Sequence, residues 1–99
     1  MVEEIAFIEV ADGQNGAFED AVRRAAAEIF PRSKGFVSLS LGLGVEKPNT
    51  YALKIIWEKI EDHTKGFVES DLFDEWRALV TGILAGAPVV EHWQPVDVG

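Results

Sequence analysis

The sequence predicts an α+β fold with the element order β-α-β-β-α-β, and three observations predict it. Four short runs rich in β-branched and aromatic residues, around Ile5, Leu39, Ile55 and Val90, read as strands. Two longer stretches, after Gly16 and after Ser70, repeat apolar residues at helical spacing. A length of 99 residues allows one domain, spanning residues 1–99, with a single two-layer core.

Glu4 to Val10 reads as the first strand. Ile5, Phe7 and Glu9 share one face and Ala6, Ile8 and Val10 the other, so both faces are largely apolar. Asp12-Gly13 and Asn15-Gly16 are turn dipeptides, and Asp12 or Asn15 caps the helix that follows. From Ala17 to Phe30 the stripe is Phe18, Ala21, Val22, Ala25, Ala26 and Ile29, with Glu19–Arg23 and Asp20–Arg24 at i,i+4 on the other side. Pro31 stops this helix. Gly35 to Val45 is the second strand, in which Gly42 and Gly44 mark either a bulge or a close approach by a ligand. After the loop Glu46 to Asn49, the third strand runs from Thr50 to Lys59. It places Tyr51, Leu53, Ile55 and Trp57 on one face.

A short helix from Ile60 to Glu69 then points His63 and Phe67 the same way. Ser70 caps a second long helix, Asp71 to Ala85, whose stripe is Leu72, Trp76, Leu79, Val80 and Ile83. Gly86 and Pro88 end it, and Val89 to Val96 is the last strand. This order is the ferredoxin-like pattern: a four-stranded antiparallel sheet, strand order 4-1-3-2, with helices on one face. The other face stays uncovered, and strands apolar on both sides would leave it sticky. A two-fold homodimer with sheets packed face to face is the expected remedy.

Composition narrows the function classes. The formal charge of −8, from 17 acidic and 9 basic residues, repels phosphate backbones, so nucleic acid is not an expected partner. Without cysteine there is no disulfide, no catalytic thiolate and no thiol-ligated metal. The N-terminus has no signal-peptide pattern and no apolar run is long enough to span a membrane, which fits a cytoplasmic protein. His63 and His92 lack metal-ligand spacing, the serines lack a nucleophile elbow, and no glycine-rich phosphate loop is present. No metal or cofactor is expected. What remains is a pocket between sheet and helices, with Tyr51 and Trp57 on the sheet and Phe67, Leu72 and Trp76 on the helices above. His63, near the exit of the third strand, is placed to act as a general base or hydrogen-bond donor. Of His92 and Trp93, one faces the pocket and the other the dimer interface; His92 is read as structural or interfacial.

Trp57-Glu58-Lys59, Glu61-Asp62-His63, Gly66-Phe67, Ser70, Trp76-Arg77 and Pro88-Val89-Val90-Glu91-His92-Trp93 together resemble the antibiotic biosynthesis monooxygenase family, over roughly Ile5 to Val96. The resemblance implies a dimeric α/β barrel. It also implies an enzyme that oxidises phenols, quinols or polyketide-like aromatics to quinones with O2, needing neither metal nor flavin. On that resemblance Trp57 and Phe67 line the pocket, Tyr51 hydrogen-bonds the substrate and His63 assists proton transfer. A haem-degrading branch uses an asparagine, a tryptophan and a histidine. Here the first strand has no asparagine, and Phe67 and Arg77 stand at the other two positions, so haem oxygenation is not implied. A non-catalytic ligand-binding dimer and an isomerase or decarboxylase on the same scaffold are the alternatives.

Overall fold

The computed structural model describes residues 1–99. Strand β1 (Val2–Glu9) lies inside the sheet because it pairs on both edges, antiparallel to β3 (Thr50–Trp57) and to β4 (Val89–Trp93). Strand β2 (Phe36–Leu43) adds outside β3, which gives the predicted ferredoxin-like order β2-β3-β1-β4. Pairing of Val2 with Trp57 starts β1 two residues earlier than expected, so Glu4 lies within the strand. Alternation then turns Val2, Glu4, Ala6, Ile8 and Val10 to the helical side, where all are buried.

Helix α1 (Asn15–Glu28) covers that side with Phe18, Ala21, Val22 and Ala25. Its N-cap is Gln14, and no side chain caps it. The two expected caps are engaged elsewhere: Asn49 Nδ2 donates to Asp12 at 2.8 Å, and Asn15 Nδ2 donates to the Tyr51 hydroxyl at 3.1 Å. The expected Asp20–Arg24 pair does not form, because Arg23 takes Asp20 and Arg24 takes Glu28. Pro31 lies in a single 3-10 turn, Phe30–Arg32, that buries Phe30.

The bulge in β2 is at Val37, between Phe36 opposite Trp57 and Ser38 opposite Ile56, not at the glycines. Gly44 instead marks a close approach within the hairpin, since a Cβ there would lie 2.7 Å from the Lys47 carbonyl oxygen. Beyond β3 the chain forms a π-helical segment, Asp62–Phe67, in place of a regular helix. Helix α2 (Asp71–Val80) ends five residues sooner than the apolar stripe suggests. Thr81 leaves the helical region and Gly82 takes φ 82°, which glycine adopts freely. The following residues fold back on β1, through a Val10–Leu84 bridge and a 2.8 Å bond from the Ala11 N–H to the Ile83 carbonyl. Strand β4 stops at Trp93, short of Pro95, which has no N–H to give.

The core is one cluster between the sheet and the helical layer, with Trp57, Tyr51, Phe18 and Phe30 its largest members. The open face is mixed. Ile5, Phe7, Ala52, Ile56, Val89 and Trp93 share it with Glu3, Lys54 and Glu91. Strand β2 contributes only Ser38, Ser40 and Gly42 there, so the expectation of strands apolar on both sides does not hold for β2. The face is an apolar band along β1 and its neighbours, with Trp93 still 55% exposed.

Candidate functional site

A cavity of about 560 Å³ lies between the helical side of the sheet and the π segment with α2. Its floor is Ala6, Ile8, Leu53 and Ile55, and Phe67, Phe73 and Trp76 roof it. The chain fold-back at Gly82–Leu84 forms part of the rim. Arg77 joins the wall with its guanidinium 5.7 Å from the centre of the Phe73 ring. Two buried polar side chains, Glu4 and His63, complete it. Most of the wall is apolar and the polar groups are few, which is the usual make-up of a small-molecule site.

Glu4 is held from two sides. The indole N–H of Trp57 donates to Glu4 Oε1 at 3.0 Å, and His63 Nε2 lies 3.3 Å from Glu4 Oε2. His63 stacks on Trp57 with ring centres 5.7 Å apart, and its Nδ1 is 2.8 Å from Nε2 of His92. Burial raises the Glu4 carboxyl from 4.5 to about 7, against a smaller downward pull from the Trp57 N–H. Burial also lowers His63 from 6.5 to about 4, with His92 adding to the effect. Both shifts disfavour charge, so between these values the two form a neutral hydrogen-bonded pair rather than an ion pair. A carboxyl that changes state near pH 7 is matched to proton transfer at neutral pH. The three groups lie in a row, and no set of three or more His, Asp or Glu side chains converges as a metal site.

The expected site residues divide. His63, Phe67 and Trp76 line this cavity. Trp57 is fully buried and outside the wall, and it touches the wall through its hydrogen bond to Glu4 and its ring contacts with His63 and Phe67. Leu72 packs half-buried against the core and is not in the wall. Tyr51 lies apart, its ring 4.8 Å from Phe18 and its hydroxyl donating to Glu19 at 2.6 Å while accepting from Asn15. Burial, then the bond to Glu19, raises the Tyr51 pKa, so it is held as a neutral phenol. Tyr51 and Trp57 are six positions apart along the strand, about 20 Å at roughly 3.3 Å per residue. One small pocket does not reach both.

Sequence reasoning missed Glu4 and Arg77 as wall residues. The signal for Glu4 was its even spacing with Ala6 and Ile8, which puts a carboxylate on the core face of an apolar strand. His92 lies opposite Glu4 on the helical side of the sheet, and Trp93 turns to the open face.

Comparison with known proteins adds to this geometry. The family model described as antibiotic biosynthesis monooxygenase matches residues 1–79, a span that includes Glu4, His63 and Arg77 but not His92. The uncharacterised protein YczJ of Bacillus subtilis strain 168 is 41% identical over 96 residues, covering 97% of this chain and 100% of that protein. Among solved structures, a Bordetella bronchiseptica protein assigned to the antibiotic biosynthesis monooxygenases superposes with a TM-score of 0.92 at 37% identity, covering 96% of each chain. SnoaB, a cofactor-independent oxygenase from Streptomyces nogalater, shares the fold at a TM-score of 0.78 and 18% identity, over 98% of this chain and 94% of its own.

Proposed function

The chain belongs to the antibiotic biosynthesis monooxygenase family, and from that premise we propose that it oxidises a phenolic, quinol or polyketide-like aromatic with O2 in the cavity beneath α2. The reading takes the active form as a homodimer and the reaction as one that needs neither metal nor flavin. One observation carries it: a buried carboxyl–imidazole pair, Glu4 and His63, set into an otherwise aromatic and aliphatic wall. SnoaB, with the same fold, is a cofactor-independent oxygenase, which supports the class of reaction.

The chemistry follows from what such a wall offers. The substrate ring lies among Phe67, Phe73 and Trp76 with its acidic O–H, or a C–H activated by a carbonyl, toward Glu4 and His63. Loss of that proton to the pair makes an electron-rich anion. One electron passes from the anion to O2, giving a carbon-centred radical and superoxide, which combine into a peroxide at the ring carbon. A proton delivered to the peroxide balances the one first lost, and breakage of the O–O bond with loss of the remaining ring proton then releases water and leaves the quinone. One O2 and one substrate give one quinone and one water. Apolar walls keep bulk water from the anion, and the Arg77 guanidinium supplies a positive charge at the wall. For the dimer, Ile5, Phe7, Ile56, Val89 and Trp93 on the open sheet face supply the apolar surface.

The test is oxygen uptake with a panel of anthrones and dihydroxynaphthalenes, with quinone formation followed by absorbance. Uptake matched by quinone supports the proposal; members that bind without any uptake count against it. The Glu4–His63 pair also suits an isomerase that only moves a proton, and product formed under nitrogen identifies that second reading.

A further inference from the structure

Glu4 and His63 belong to the cavity, but His92 does not. It lines a separate surface hollow of about 420 Å³, on the far side of His63, with Met1, Glu58, Lys59, Glu61 and Trp93. The row Glu4–His63–His92 therefore joins a largely apolar cavity to solvent through protein. Each link is made by a ring nitrogen: 3.3 Å from Glu4 Oε2 to His63 Nε2, and 2.8 Å from His63 Nδ1 to His92 Nε2. The carboxyl is oriented for this, because the Trp57 N–H occupies Oε1 and leaves Oε2 to the imidazole. The His63 ring packs beside both Trp57 and Phe67, with ring centres 5.7 Å and 6.4 Å away, and these contacts hold its orientation.

We propose that this row is a proton conduit, in which Glu4 takes the proton that the substrate loses and His63 and His92 pass it to solvent at the far hollow. This rests on the cavity being a site of proton abstraction, whatever follows with O2. The substrate's O–H or C–H bond breaks and an O–H bond forms on Glu4. Glu4 then gives a proton to Nε2 of His63 as Nδ1–H of His63 gives one to Nε2 of His92. Nδ1–H of His92 gives one to water or buffer. One proton enters and one leaves, and no ring need become an imidazolium during the passage. A group that ionises near pH 7 at the inner end lets the conduit work at neutral pH. The charged groups facing the row are Arg77 of α2 across the cavity and Glu58, Lys59 and Glu61 around the hollow, and none of them hydrogen-bonds its members.

The direct test is imidazole nitrogen NMR of the intact protein across a pH titration. As Glu4 ionises, His63 is expected to change from the Nδ1–H to the Nε2–H tautomer, and His92 to change with it. In Glu4→Gln, which cannot ionise, this coupled change is expected to disappear while the folded spectrum remains. Fixed tautomers in the native protein, or an unaltered change in Glu4→Gln, would overturn the proposal. A second measurement uses anaerobic mixing with an anthrone in weak buffer and a pH indicator. His92→Gln is expected to slow proton release by roughly tenfold or more, with added imidazole restoring the rate. Release at the native rate would overturn the outer half of the conduit. Neither measurement involves O2, so either can fail or succeed independently of the oxygen-uptake experiment.

Discussion

Removing one member of the Glu4–His63 pair should expose a pH dependence of stability that the pair hides. In the unfolded chain between about pH 4.5 and 6.5, Glu4 is ionised and His63 protonated, so together they hold one proton. In the folded protein Glu4, raised to about 7, keeps its proton and His63, lowered to about 4, has none. The pair again holds one proton, so its net effect on stability is flat across this window. Glu4→Gln leaves His63 alone. The folded state then binds fewer protons than the unfolded state between about pH 4 and 6.5, and stability rises with pH. His63→Gln leaves Glu4 alone, and stability falls as pH rises from 4.5 to about 7. Each interval, at about 1.4 kcal/mol per pH unit, amounts to about 3 kcal/mol. That is a large share of the roughly 5–15 kcal/mol a domain of this size has in total. The two residues are 6% and 7% exposed, so solvent screening removes little of it. Urea denaturation at fixed protein concentration, at pH 4.5, 5.5, 6.5 and 7.5, reads the slopes relative to the native protein. Opposite slopes for the two variants are expected. Slopes matching the native protein in both would refute the buried neutral pair.

Three further outcomes follow from the geometry. Gly35 has φ 84° and a Cβ there would lie 2.7 Å or less from three Asp62 side-chain atoms, so Gly35→Ala should displace the π segment that carries His63 and cost roughly 1–3 kcal/mol in thermal or urea unfolding. Trp76→Ala removes a roof ring from the cavity and should weaken anthrone binding by about tenfold, or roughly 1.4 kcal/mol, in a fluorescence titration that reads Trp57. Phe7→Lys puts a charge into the apolar band of the open sheet face and should shift the protein toward monomer in sedimentation, while its circular dichroism is unchanged.

The fold was legible because its two periodicities were clean. Alternation in β1 and β3, and the i, i+4 stripe in α1, predicted the elements and layers, and their β-α-β-β-α-β order, matched to the ferredoxin-like pattern, predicted the strand order. Misreadings arose where local pattern and tertiary pairing compete. The apolar stripe of α2 continues through Ile83 and Leu84, but Thr81 and Gly82 break the helix and those residues bond to the end of β1 instead. The bulge at Val37 follows from registering Phe36 against Trp57, which no local propensity encodes. Within the site, His63 and Phe67 were readable from helical spacing even though the segment is π-helical. Glu4 was not, because a lone acid near a strand end reads as a solvated residue until the strand is known to start at Val2. The contact between His63 and His92 depends on the β1–β4 register, where Glu4 faces His92, and sequence spacing of 29 residues carries no trace of it.

The measurement that bears most directly on the central claim is a paired oxygen-electrode and absorbance experiment. It uses protein treated to remove metals and flavin, with an anthrone that binds in the cavity. Native protein is expected to consume one O2 for each quinone formed, and Glu4→Gln to bind the same anthrone with its oxygen uptake reduced to the solution rate. Binding by the native protein without oxygen uptake, or uptake undiminished in Glu4→Gln, would contradict it.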